Sequence, residues 1–170
     1  GQNWAFDWVA HYLIQGLKEI SISAVVESDV WDKRNAIIHF GDRYQYLEGT
    51  PNNLHPSNYV FLTWFHGDPA QPEFATLGNK LQQYQHLLDG IVTSCSISQK
   101  QLVAFGIPQD KIKVIPIGVD TTHFLPATPR SRQAMRDKLG IAQDAICIGS
   151  FQKDGNGWDE GLEPKRIKGP

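Results

Sequence analysis

The sequence predicts an α/β protein built on a doubly wound, mostly parallel sheet. Three observations lead there. Apolar runs of strand length alternate with helical stripes of roughly ten or more residues. The run from Tyr59 to Phe65 is continuously apolar, as expected of a strand buried on both faces of a parallel sheet. The tight turns that an antiparallel sheet would need are absent.

The chain opens on a helix from Trp4 to Lys18, where Phe6, Val9, Ala10, Leu13, Ile14 and Leu17 recur at helical spacing and Asn3 stands as N-cap. Ser23 to Val26 and Ala36 to Phe40 read as strands, short β-branched or apolar runs ended by polar residues or glycine. Gly49 to Ser57 is loop. The strand at Tyr59 to Phe65 stops at His66, Gly67, Asp68 and Pro69. Phe74, Leu77, Leu81, Tyr84, Leu87 and Leu88 then form a second helical stripe, closed by Gly90. Ile91 to Thr93 is a strand, and Ser96 with Gln99 forms a capping-box pattern opening a helix that stops at Gly106. Lys113 to Ile117 is a further strand. The apolar character of Tyr59 to Phe65, Ile91 to Thr93 and Lys113 to Ile117 predicts that these three are adjacent and central.

Past Gly118 the pattern changes. Thr121 to Arg130 is extended and carries two prolines, Arg132 to Leu139 reads as a polar helix, and Ala145 to Gly149 as a new strand. The organisation expected is a first domain over residues 1–120, incomplete at its N-terminus because it starts on a helix rather than a strand. An interdomain linker follows over 121–143, then the start of a second, truncated domain over 144–170. The chain is accordingly expected to be a fragment.

Composition narrows the function classes. In 170 residues, 16 Lys and Arg stand against 18 Asp and Glu, a formal net charge of -2, with no basic block dense enough to follow a phosphate backbone. Nucleic acid is therefore excluded as the expected partner. Cys95 and Cys147 lie far apart in apolar runs that read as strand ends, a spacing that suits neither a zinc site nor a disulfide framework. A reducing cytoplasm is the expected location. No apolar stretch reaches the roughly 18–20 residues of a membrane span and the N-terminus lacks a signal-peptide pattern; contact with a membrane surface is left open.

Ligands of open α/β sheets collect beyond the carboxyl ends of the strands. His66 stands there, where an imidazole can donate or accept a hydrogen bond to a sugar hydroxyl; a loop histidine bonded to neighbouring backbone is the plainer alternative. His55, His66 and Asp68, with Gly41 and Asp42, faintly resemble metallophosphoesterases, but that family's Asn-His segment and later Gly-His pairs are missing, so no metal is expected. The glycine-rich stretch from Gly155 to Gly161 has neither phosphate-loop spacing. Lys168, an ammonium beside a glycine turn, can pair with a diphosphate as a point charge. The aromatic pairs Trp4 with Trp8 and Trp64 with Phe65 read as core.

The combination of segments is more specific than any one of them. Lys113-Val114-Ile115-Pro116-Ile117-Gly118-Val119-Asp120, continuing to Phe124, resembles the I-P-N-G-V-D-x-x-x-F segment that closes the N-terminal domain of GT-B glycosyltransferases of the retaining family-four class, the glycosyl transferases group 1. Ile91 to Ser98 with Phe105 to Ile112 resembles that family's V-S-x-S…L…G-x-P-x-D-K-I approach. Arg136 to Ile141, Cys147 to Gly149 and Lys168-Gly169 resemble the R…L-G-I…I-G…K-G start of its donor domain.

The resemblance implies two Rossmann-like domains facing across a cleft, this chain holding the acceptor-side half with its first strand missing. It implies transfer of a sugar, with retention, from a nucleoside diphosphate sugar of unknown base to a hydroxyl of a carbohydrate or lipid-linked acceptor, without a cofactor. It casts His66 as the catalytic residue beside the donor sugar. Lys168 and Gly169 become donor-binding residues, with Lys153 nearest in order to the family's preceding basic residue. Gly1, Gln2, Asn3 and Gly67 become acceptor-side loop residues. Two departures stand out: Ile117 replaces the family's Asn, and an insertion through Gly161 separates Lys153 from its expected place. The isolated chain is expected to be inactive, since most groups that would hold the leaving diphosphate belong to the other half. The alternatives are a non-catalytic Rossmann-type sugar- or nucleotide-binding module and, behind it, a metallohydrolase.

Overall fold

The computed structural model describes residues 5–149. Its contacts divide the chain into two compact units, Gly1–Gly118 and Val119–Pro170. The expected N-cap Asn3 lies outside the described residues.

In the first unit, helix α1 (Ala5–Glu19) is followed by β1 (Ile37–Phe40), α2 (Arg43–Glu48), β2 (Tyr59–Thr63), α3 (Ala75–Tyr84), β3 (Gly90–Thr93), α4 (Ser96–Ala104) and β4 (Ile112–Val114). The four strands form one all-parallel sheet in the order β1-β2-β3-β4, with Phe40 opposite Leu62, Leu62 opposite Ile91 and Ile91 opposite Ile112. This is an α/β fold with a parallel sheet flanked by helices, of the Rossmann-like doubly wound class that the alternation predicts.

The pleat explains the core. Successive side chains point to opposite faces, and Ile38, Phe40, Val60, Leu62, Ile91 and Ile112 share the face that is buried. Tyr46 and Leu47 of α2, Leu77 and Leu81 of α3 and Leu102 of α4 join that cluster, with Trp64, Leu88 and Ile107. Each such side chain contributes about 1.5–3 kcal/mol by leaving water. Gly78 lets α3 approach its neighbours: a Cβ there would lie 2.6 Å from the Pro69 carbonyl and 2.7 Å from the Phe105 ring.

Several expectations are corrected. Ser23 to Val26 forms no strand; Val25 and Val26 are exposed, and among the described residues no neighbouring strand accepts their backbone groups. Trp8 is 52% exposed, stacked on Tyr12 of its own helix and outside the core. Tyr59 to Phe65 is a strand only to Thr63, and its first residue is exposed rather than buried on both faces. The second helical stripe gives α3 only to Tyr84, with a 3-10 turn at Gln85–Leu87 beyond it. The capping box at Ser96 and Gln99 does not form, because the N-cap is Cys95 and Ser96 is already helical. The last strand runs from Ile112 to Val114: the Ile115 N–H still donates to the Thr93 carbonyl at 2.8 Å, and Pro116 then offers no N–H. Adjacency of the three strands holds, but β4 is central to nothing among the described strands; it is an edge.

In the second unit α5 (Pro129–Leu139) starts three residues earlier than predicted, with Thr128 and Ser131 in a reciprocal capping box and Pro129 in the first turn. It ends at Gly140 in the left-handed conformation, φ 66°. Arg136 folds back to donate to the carbonyls of Ala142 and Ala145. Ala145 to Gly149 forms no strand; Ile146 and Ile148 are both 92% exposed, with no partner strand among the described residues. Cys147 is exposed as well.

Candidate functional site

The parallel sheet brings its strands' carboxyl ends to one edge, the usual place for ligands in such folds. Beyond β1 lie Gly41, Asp42 and Arg43; beyond β2, Trp64 to Asp68; beyond β3, Ser94 and Cys95. Asp42 caps the start of α2, its Oδ1 accepting the Tyr44 N–H at 2.7 Å.

His66 is exposed, at the turn that follows β2. Trp64, fully buried, donates from Nε1 to the Gly67 carbonyl at 2.8 Å and so closes the turn over His66. Gly67 itself has φ 90°, and a Cβ there would lie 2.7 Å from the Phe74 ring. Only glycine fits that turn without strain. Asp68 Oδ1 accepts the Ala70 N–H at 3.0 Å. The loop is thus held by its own side chains, and it presents an imidazole at its surface.

Arg43, which sequence reasoning missed, is the principal support beneath this loop. The residue is only 4% exposed; its guanidinium lies 4.5 Å from the centroid of the Trp64 ring and 4.9 Å from that of Phe74, and donates from Nη1 to the His66 carbonyl. Its place three residues past the end of β1 is visible in the sequence, but its burial against Trp64 and Phe74 is not.

His39 and Cys95 carry the shifted titrations of this edge and sheet. His39 Nε2 lies 2.8 Å from Thr63 Oγ1, reaching from β1 to β2, and partial removal of its ring from water holds its pKa below the ordinary histidine value. Cys95 is exposed, with its Sγ 3.5 Å from Ser98 Oγ. That hydrogen bond, helped by the Ser98 backbone, lowers the thiol's pKa.

The remaining candidates fall apart spatially or lie elsewhere. The His55 ring is engaged by Ser57, with Nδ1 2.8 Å from its Oγ. Among the described residues no three His, Cys, Asp or Glu side chains converge as metal ligands. Gly1, Gln2, Asn3, Lys153, Lys168 and Gly169 lie outside the described residues. Among those described, no helix is long and apolar enough to cross a membrane.

No family model matches the chain. Over 86 residues it is 33% identical to a D-inositol 3-phosphate glycosyltransferase of Xylanimonas cellulosilytica, a match covering 48% of this chain and 20% of that protein. Over 83 residues it is 32% identical to a D-inositol 3-phosphate glycosyltransferase of Geodermatophilus obscurus, covering 48% of this chain and 17% of the relative. The matches therefore span about a fifth of the relatives' length. Over about half of its own length, this chain is related to glycosyltransferases.

Proposed function

We propose that the full-length protein carrying this chain transfers a sugar, with retention, from a nucleoside diphosphate sugar to an acceptor hydroxyl, and that residues 1–120 form its acceptor side. The observation that carries the reading is the exposed His66 on a braced turn beyond a strand's carboxyl end, in a chain related to glycosyltransferases. In this reading the His66 imidazole hydrogen-bonds a hydroxyl of the donor sugar beside the reacting carbon. A contact there strengthens as charge develops on the sugar, so it acts chiefly in the transition state. Gly67 belongs to the acceptor-side loop with Gly1, Gln2 and Asn3. Lys168, with Gly169 and Lys153, meets the donor diphosphate, where an ammonium offsets the negative charge growing on the leaving oxygen. No metal or cofactor is required, and the protein works in the cytoplasm.

The relatives' acceptor, by their name, is an inositol phosphate; a phosphorylated polyol belongs in the acceptor panel beside carbohydrates and lipid-linked sugars. The test is an assay of the full-length protein with a panel of nucleoside diphosphate sugars and these acceptors. The product is read by NMR for its anomeric configuration. The expected result is transfer with the donor's configuration kept. Donor binding without transfer would make the protein a binding module, and inversion would remove the retaining assignment.

A further inference from the structure

Arg43 sits where a charge is expensive. A guanidinium taken out of water costs several kcal/mol unless an anion or a full set of acceptors replaces the solvent. Arg43 is 4% exposed, and among the described residues its Nε has no hydrogen-bond partner and no carboxylate pairs with it. What surrounds it is aromatic: the Trp64 ring at 4.5 Å, the Phe74 ring at 4.9 Å and the Tyr44 ring at 5.3 Å. Cation–π attraction recovers part of the cost. Packing alone does not require the charge, because an apolar side chain of similar length would fill the same space without desolvation.

What the guanidinium adds is one directed donor. Nη1 bonds the backbone carbonyl of His66, joining the residue that opens α2 to the turn after β2. The same turn is also bonded by the Trp64 indole, through the Gly67 carbonyl at 2.8 Å. Trp64 also stacks on Arg43, so one ring links the two supports. A peptide unit held by its carbonyl is restrained from turning, and the backbone from which the His66 side chain projects is restrained with it.

We propose that Arg43 is a positioning residue for His66: the guanidinium, packed against the Trp64 and Phe74 rings, holds the His66 carbonyl and so restrains the backbone from which the imidazole reaches the site. The catalytic part of this inference rests on the reading of His66 under Proposed function; the positioning part does not. Misplacing a reacting group by about 1 Å can cost on the order of 10²-fold in rate. Arg43 touches neither substrate nor the reacting atoms in this account, and its effect passes through His66.

The experiment uses the full-length protein in wild-type form and as Arg43→Met, Arg43→Lys, His66→Ala and the Arg43→Met/His66→Ala pair. Met keeps the apolar stem between the rings, and Lys restores a donor without the planar fork. Two quantities are read: kcat and KM for sugar transfer, and the ¹H–¹⁵N signals of the His66 ring against those of the other histidines. Positioning predicts that Arg43→Met shifts or broadens the His66 signals selectively and lowers kcat about 10- to 100-fold with little change in KM. It predicts partial recovery of both in Arg43→Lys, and no further loss of kcat when Arg43→Met is added to His66→Ala. Unchanged His66 signals in folded Arg43→Met, or losses that add in the double variant, would overturn it. If Arg43→Met fails to fold, the same readings on Arg43→Lys decide: wild-type His66 signals and kcat there count against positioning. A selective change of the His66 signals in Arg43→Met, together with full turnover in His66→Ala, would leave positioning standing and remove the catalytic reading of His66.

Discussion

The indole of Trp64 donates to the carbonyl of Gly67 at 2.8 Å, a bond that spans His66 and turns the chain back on itself directly beyond β2. The turn needs the positive φ of Gly67, and the Phe74 ring occupies the space a side chain there would take.

Gly67→Ala should therefore destabilise the protein by roughly 1–3 kcal/mol, through left-handed strain and the clash with Phe74. Gly16 of α1 supplies the contrast, since a Cβ there meets nothing within 4 Å. Gly16→Ala should stabilise by about 0.5–1 kcal/mol through the lower backbone entropy of the unfolded chain. Urea denaturation followed by circular dichroism checks both, and equal effects of the two substitutions would contradict the geometry.

His39 sets a pH dependence of stability. Its folded-state pKa is lowered from 6.5 by removal from water, so the unfolded chain takes up this proton first as pH falls. The contribution of neutral His39 is present above about pH 6.5 and is lost as pH drops through the lower folded value. The wild-type protein should thus lose more stability between about pH 7 and pH 5 than His39→Gln. Parallel pH profiles for the two would show that His39 titrates alike folded and unfolded.

How far the sequence could be read follows from what each signal depends on. Helical stripes, glycine stops and the run at Tyr59 depend on local pattern, and the strand-helix alternation they produce is what the fold has. The misread strands depended on partners. Ser23 to Val26 and Ala145 to Gly149 have strand composition, but a strand exists only where a neighbour takes its hydrogen bonds, and spacing does not report that. Ser96 failed as a cap because the chain is already helical there, one residue after Cys95. At the site, His66 was legible because strand ends are legible. Arg43 was not, because its burial between Trp64 and Phe74 arises from residues 21 and 31 positions away in the chain.

Lys168 carries the donor side of the proposal. In the full-length protein Lys168→Ala should cost on the order of 2–4 kcal/mol of transition-state stabilisation, as loss of one strong oxyanion donor does. The check is kcat for sugar transfer alongside donor affinity. Normal turnover would mark Lys168 as solvated surface charge and remove it from the donor site.

The most direct measurement is the comparison of wild-type and His66→Ala full-length protein, with kcat from initial rates of sugar transfer and donor affinity from equilibrium binding. A histidine beside the reacting carbon matters more in the transition state than in the bound ground state. The account predicts a fall in kcat on the order of 10²-fold, with donor affinity changed only slightly. Unchanged kcat in His66→Ala would contradict it and leave His66 an ordinary histidine on a well-braced turn.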